Sequence, residues 1–287
     1  HIKFGFESEP LKELLVYSAP IMFASLVITL LNQADRYILG NLTSLKEVGI
    51  YGLSYNISGL INFLVVSPFS LAFTVISWKK LKDANAKRFY TKQITYLFLA
   101  VIYISMIIAL FTPHLIKIVT LKTDYWVAAQ YVPWVILAMP FYGIHFVGVF
   151  SFYVTKKTKY VFYSYLAALA VNIILNIIFI PQFGIYAACF VNLFSFFVLN
   201  AVIYMFSKRN YFFPYEWMKI FTMILLYFLL VAPFFVLSFE NRQIEIALKF
   251  GALLLYPVLL YVFRFFEPIE ITSIKGFFRK YLRLGKK

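Results

Sequence analysis

Apolar residues run almost unbroken through eight stretches of this chain, at about 14 to 35, 48 to 78, 93 to 111, 127 to 154, 160 to 180, 184 to 206, 220 to 238 and 244 to 263. Each stretch approaches or exceeds the roughly 20 apolar residues that one helix needs to cross a hydrocarbon core. Within lipid a lone segment can pair its backbone N–H and C=O groups only as a helix. The pattern predicts an all-α polytopic membrane protein with about eight transmembrane helices, and an even number puts both ends of this chain on one side.

Composition agrees: the 287 residues are 62% hydrophobic and 14% charged, whereas a soluble domain carries about a quarter charged residues. A net charge of +15 does not point to nucleic acid, because the basic residues fall in short clusters between apolar runs. They report topology instead. With the N-terminus inside, about 21 Lys and Arg residues fall on the inner side and about five, among them Arg36, Lys46 and Arg242, on the outer. The bias alternates loop by loop, so both ends of the chain are expected on the cytoplasmic side.

The connections near 79 to 92, 112 to 126 and 207 to 219 are too short to be domains. Beyond Glu267-Pro268, apolar Ile274, Phe277, Phe278, Tyr281 and Leu282 alternate at helical spacing with Lys275, Arg279, Lys280 and Arg283, a pattern that predicts an amphipathic helix on an anionic leaflet. Prolines Pro20, Pro68, Pro133, Pro140, Pro233 and Pro257 fall within spans, where each removes a backbone donor and can kink its helix. The chain starts His1-Ile2-Lys3, unlike a secretory signal peptide, and reads as a fragment.

Few residues offer chemistry. The single cysteine, Cys189, sits in an apolar run, so no internal disulfide or cysteine metal site is available. His1, His114 and His145 form no metal-ligand spacing, and no glycine-rich phosphate loop is present. The reading is therefore no enzyme, no metal and no cofactor. Asn32, Gln33, Asp35 and Arg36 cluster at the outer end of the first run. Asp35 and Arg36 point about 100° apart on a helix, while Asn32 and Arg36 share a face. Arg36 reads either as a phosphate holder, which suits its planar donor fork, or as an interfacial anchor. Asn172 and Asn176 repeat at i, i+4 in the fifth run, and Asn192 and Asn200 share a face of the sixth. Such amides either glue helices together or line a polar route. His145 reads as a core histidine or a proton relay. Lys79 and Lys80 close the second run, either as topology markers or as a collar that gathers an anionic lipid.

Two segments are distinctive. The first runs from Tyr17-Ser18-Ala19-Pro20-Ile21 through Asn32-Gln33-Ala34-Asp35-Arg36-Tyr37-Ile38-Leu39-Gly40 to Val48-Gly49-Ile50-Tyr51; the second is Asn172-Ile173-Ile174-Leu175-Asn176 followed by Ile180-Pro181-Gln182-Phe183-Gly184-Ile185. Together with the span spacing they resemble the second half of Wzx-type polysaccharide flippases, departing at Tyr186, where that family often has glycine. The resemblance implies a two-lobed transporter of which this chain is the C-terminal portion: residues 1–206 a six-helix lobe, 207–263 two additional helices and 264–287 a basic cytoplasmic tail. About six spans would precede His1. The implied activity is movement of an undecaprenyl-diphosphate-linked oligosaccharide across the bacterial cytoplasmic membrane for surface polysaccharide (O-antigen) assembly. Its partners would be that lipid, the bilayer and other membrane proteins of polysaccharide assembly. Asn32, Gln33, Arg36, His145, Asn172 and Asn176 are the candidates for a polar groove, with Lys79 and Lys80 as the collar. The rivals are a multidrug or cation antiporter of the same superfamily, which would place acids inside its spans, a glycan polymerase or ligase, and a non-transporting scaffold. The spans carry almost no acid apart from Asp35 at an end and Glu245 near another, which favours anionic cargo.

Overall fold

The computed structural model describes residues 8–237, 241–268 and 272. Among them the secondary structure is helical, with eight helices long and apolar enough to cross a membrane. They are α1 Ser8–Leu42, α2 Leu45–Lys80, α3 Ala86–Val119, α4 Val132–Val154, α5 Lys159–Phe183, α6 Ile185–Ser207, α7 Trp217–Val236 and α8 Arg242–Val262. The predicted amphipathic segment at 274 to 282 lies outside the described residues, as does most of the tail from 264 to 287.

Prolines shape several of these helices as the sequence predicts. In α2 the α-helical pattern loosens into a π-turn, Asn62–Val66, directly before Pro68. A proline ring at position 68 clashes with the preceding turn and cannot donate to it, and an extra residue in the turn relieves both problems. Helix α4 carries Pro133 and Pro140 and breaks into Val132–Val135, Ala138–Gly148 and Phe150–Val154. Its predicted start near 127 is corrected: residues Thr123–Gln130 form a 3₁₀ segment that leads into it. Helix α7 breaks before Pro233, whereas α1 and α8 continue through Pro20 and Pro257.

Between α5 and α6 the chain reverses at one residue, Gly184, with φ +55° and ψ −133°. That conformation is closed to residues with a Cβ, and the glycine N–H still reaches the Ile180 carbonyl at 2.8 Å. The turn makes α5 and α6 immediate antiparallel neighbours.

The chain divides at Glu216 into two compact units. In the first, α5 packs along α1 on one side and α6 on the other, and α4 sits between α3 and α6 as the most buried span. Asn200 on α6 helps hold the broken α4, donating from Nδ2 to the Phe141 carbonyl at 2.8 Å. At one end, Thr158 Oγ1 donates to the Tyr17 carbonyl at 2.7 Å and Lys156 pairs with Glu13 at 2.6 Å, joining α1 to the α4–α5 turn. The connector after α6 belongs to this unit: Glu216 accepts from Thr95 Oγ1 at 2.6 Å and pairs with Lys92 at 3.1 Å. In the second unit, α7 packs on α8, Tyr256 donates to the Met223 carbonyl at 3.2 Å, and buried Lys249 pairs with Glu245 at 2.5 Å.

Candidate functional site

Helix α1 separates its polar residues onto two faces. The first face carries Ala24, Leu31, Asp35 and Leu39, all buried. Sequence placed Asp35 at the outer end of the first span; the helix in fact continues to Leu42, so Asp35 lies about two turns inside it and is 1% exposed. A carboxyl group withdrawn from water needs donors in exchange. It receives three, each from a different helix. Tyr51 Oη on α2 and Asn192 Nδ2 on α6 both donate to Oδ2 at 2.7 Å, and Asn176 Nδ2 on α5 donates to Oδ1 at 3.3 Å. The same Asn176 amide donates to Asn172 Oδ1 at 3.0 Å, bringing the neighbouring asparagine into the cluster. Among the described residues, the buried amide oxygens of Asn176 and Asn192 have no hydrogen-bond partner. Chemically, one carboxylate beside unspent amide oxygens can exchange a proton or a small monovalent cation.

The second face carries Ile21, Ser25, Thr29 and Asn32, which line a cavity of about 470 Å³, with Arg36 one turn beyond. The opposite walls come from Ser70, Phe73 and Thr74 of α2, from Tyr142, His145, Phe146 and Tyr153 of α4, and from Tyr165 of α5. No Asp, Glu, Lys or Arg lines it. His145 is buried, donates Nδ1–H to the Tyr142 carbonyl, and lies against Phe146 with ring centroids 4.0 Å apart.

Arg36 and Asn32 share their face and meet through one residue of α2. Tyr55 donates its hydroxyl to Asn32 Oδ1 at 3.1 Å and offers its ring to the Arg36 guanidinium at 4.5 Å. Such a cation–π contact contributes about 0.5–1 kcal/mol where partly exposed. Arg36 also donates from Nη1 to Gln33 Oε1 at 3.2 Å, its Nε has no partner, and it makes no ion pair among the described residues. The Nε is itself buried, so the donors that the guanidinium keeps for an anion are its remaining Nη hydrogens.

A family model provides the first comparison: MatE matches residues 20–178, more than half of the chain. The chain belongs to the MatE family. Two solved structures share the fold. Lipid II flippase MurJ, in an inward closed conformation, superposes with a TM-score of 0.62 at 17% identity, covering 92% of this chain and 57% of that one. A MOP superfamily transporter from Pyrococcus furiosus gives 0.55 at 22% identity, covering 78% of this chain and 52% of that one. This MatE-family chain thus spans little more than half the length of either, and it shares their fold. No curated protein matches it.

The other predicted positions of the MatE-family chain fall as follows. Asn32 and His145 line the cavity, while Gln33 is exposed beside Arg36. Asn172 and Asn176, predicted for a groove or for packing, are both fully buried in the Asp35 cluster and outside the cavity lining. Lys79 and Lys80 are exposed at the end of α2, Lys80 paired with Asp83 at 2.8 Å. Sequence reasoning missed Asp35 as a centre. The available signal was its spacing, four residues from both Leu31 and Leu39 on one apolar stripe.

Proposed function

We propose that this chain is one portion of a flippase that moves a polyprenyl-diphosphate-linked oligosaccharide across the bacterial cytoplasmic membrane, with both ends of the chain cytoplasmic. The observation that carries this reading is the pairing of an uncharged polar cavity with an unspent guanidinium one turn beyond it, on the same face of α1. A glycan headgroup cannot cross hydrocarbon bare, so it needs a polar enclosure while its tail stays in lipid. Arg36, with free donors and no carboxylate partner, would hold the diphosphate. Likeness in fold to a lipid II flippase and the sequence resemblance to Wzx-type flippases support the same substrate class.

Asp35 would couple transport to a proton or monovalent cation gradient. Its three hydrogen bonds and near-complete burial leave no room for an organic cation, so its chemistry fits a coupling ion rather than cargo. Contacts link it to the cavity: Tyr51 holds Asp35, and its ring centroid lies 6.1 Å from that of Tyr55, which holds Asn32. A buried acid within a span also favours a second reading, a cation-coupled multidrug antiporter of the same superfamily.

The deciding experiment is complementation of a flippase-null bacterium by the full-length protein, in wild-type form and as Arg36→Ala. Restored surface polysaccharide with wild type, and lipid-linked intermediate held on the inner leaflet with the variant, is the expected result. Failure of the wild type in a host with its own sugar repeat, together with altered drug susceptibility, would favour the antiporter.

A further inference from the structure

The cavity beside α1 has a hydrogen-bonding pattern of its own. Four hydroxyl groups on its wall spend their protons on their own helices: Ser25 on the Ile21 carbonyl at 2.9 Å, Thr29 on Ser25 at 2.8 Å, Ser70 on Ser67 at 2.9 Å and Thr74 on Ser70 at 2.8 Å. Each is left presenting oxygen lone pairs, that is, acceptors. The tyrosines supply the complement. The hydroxyls of Tyr142, Tyr153 and Tyr165 form no hydrogen bond among the described residues, and neither does Asn32 Nδ2. Acceptors thus come from α1 and α2, and donors mainly from α4 and α5, around one space walled by aromatic rings and free of charged side chains.

We infer that this cavity is a binding subsite for an uncharged sugar unit, and that it selects neutral over acidic saccharides. This inference rests on the flippase reading and adds the class of glycan it takes. A pyranose ring has apolar C–H faces and an edge of hydroxyls that both donate and accept. Tyrosine matches it with an apolar ring and a polar tip, and the serine and threonine oxygens accept the sugar hydroxyl protons. A volume of about 470 Å³ lies within the range of small-molecule sites. A carboxylate brought into this space would find no cation on the walls, and an unpaired charge withdrawn from water is strongly disfavoured. The diphosphate charge is met separately, at Arg36.

The test uses the full-length protein reconstituted in liposomes with two polyprenyl-diphosphate-linked disaccharides, identical except that one carries a uronic acid in place of a neutral hexose. Thr74, exposed at the cavity, is changed to Glu to add a charge and to Gln as the uncharged control. The neutral lipid should flip at least ~10-fold faster than the acidic one, a ratio equal to about 1.4 kcal/mol; Thr74→Glu should abolish that flipping and Thr74→Gln retain it. Equal rates for both lipids, with Thr74→Glu behaving like Thr74→Gln, would overturn the inference while leaving the flippase reading intact. If wild type flips neither lipid, the flippase reading falls, and saturation-transfer NMR with the two free disaccharides decides the cavity. Contacts to the neutral sugar that Thr74→Glu removes would uphold the subsite, and no contacts would end it.

Discussion

Asp35 and Arg36 are neighbours in sequence, yet the helix turns them into two regions with opposite physics. Asp35 is sealed among four helices, 1% exposed, with a donor from each of three neighbouring helices. Arg36 is half-buried, held by one hydrogen bond and one aromatic face, and has donors to spare. One helical register therefore produces a packed polar centre that fixes how α1, α2, α5 and α6 meet, and an open polar face with unspent hydrogen bonds. The first is committed to the fold; the second keeps hydrogen-bond donors unspent.

The comparison breaks if the two faces respond alike to mutation. The largest effect on stability is expected from Asp35→Ala, which leaves three buried donors without their acceptor; at ~1–3 kcal/mol for each such group, the loss should be roughly 3 kcal/mol or more. Thermal unfolding of the full-length protein in detergent measures it, and a shift no larger than that of Arg36→Ala would remove the distinction. Asn192→Ala removes one donor and should cost less, about 1–3 kcal/mol, in the same assay. Tyr55→Phe keeps the ring under Arg36 but deletes the bond to Asn32, so a change of about 0.5–1.5 kcal/mol is expected, with flipping reduced less than by Arg36→Ala. That Arg36 variant itself should lose only about 0.5–1 kcal/mol, the worth of its contact with the Tyr55 ring, while flipping falls at least ~10-fold.

The smallest effect belongs to the exposed pair of Glu13 and Lys156. The hydrogen bond and charge of Glu13 raise the Lys156 pKa, so the contribution of this ammonium is complete below its unfolded pKa and lost as pH rises through the higher folded one. Solvent screens an exposed pair. A melting temperature that stays level through neutral and mildly alkaline pH, with Glu13→Gln indistinguishable from wild type, is the expected outcome; a steep alkaline loss removed by that substitution would show that the pair matters.

Much of this was readable in the chain itself. Span number followed from hydropathy, and the six prolines marked where a helix could bend; α2, α4 and α7 loosen or break at theirs, while α1 and α8 run straight through. The shared face of Asn32 and Arg36, and the divergence of Asp35 from it, followed from helical period. What hydropathy obscured was where α1 ends. Tyr37, Ile38 and Leu39 extend the helix past the polar group Asn32 to Arg36, so a carboxyl that reads as interfacial is buried. The fate of the asparagines was equally hidden, because an amide in a span needs a partner and periodicity does not name it.

The sequence alone determined that this chain is a set of apolar helices and which residues share a face, because backbone pairing in lipid and a period of 3.6 residues are local constraints. Tertiary structure alone decided that Asp35 meets Tyr51, Asn176 and Asn192, and that serine, threonine and tyrosine hydroxyls from four helices surround one uncharged cavity. Those contacts join residues up to 157 positions apart, and only the packing of α1 against α5 and α6 brings them within hydrogen-bonding distance.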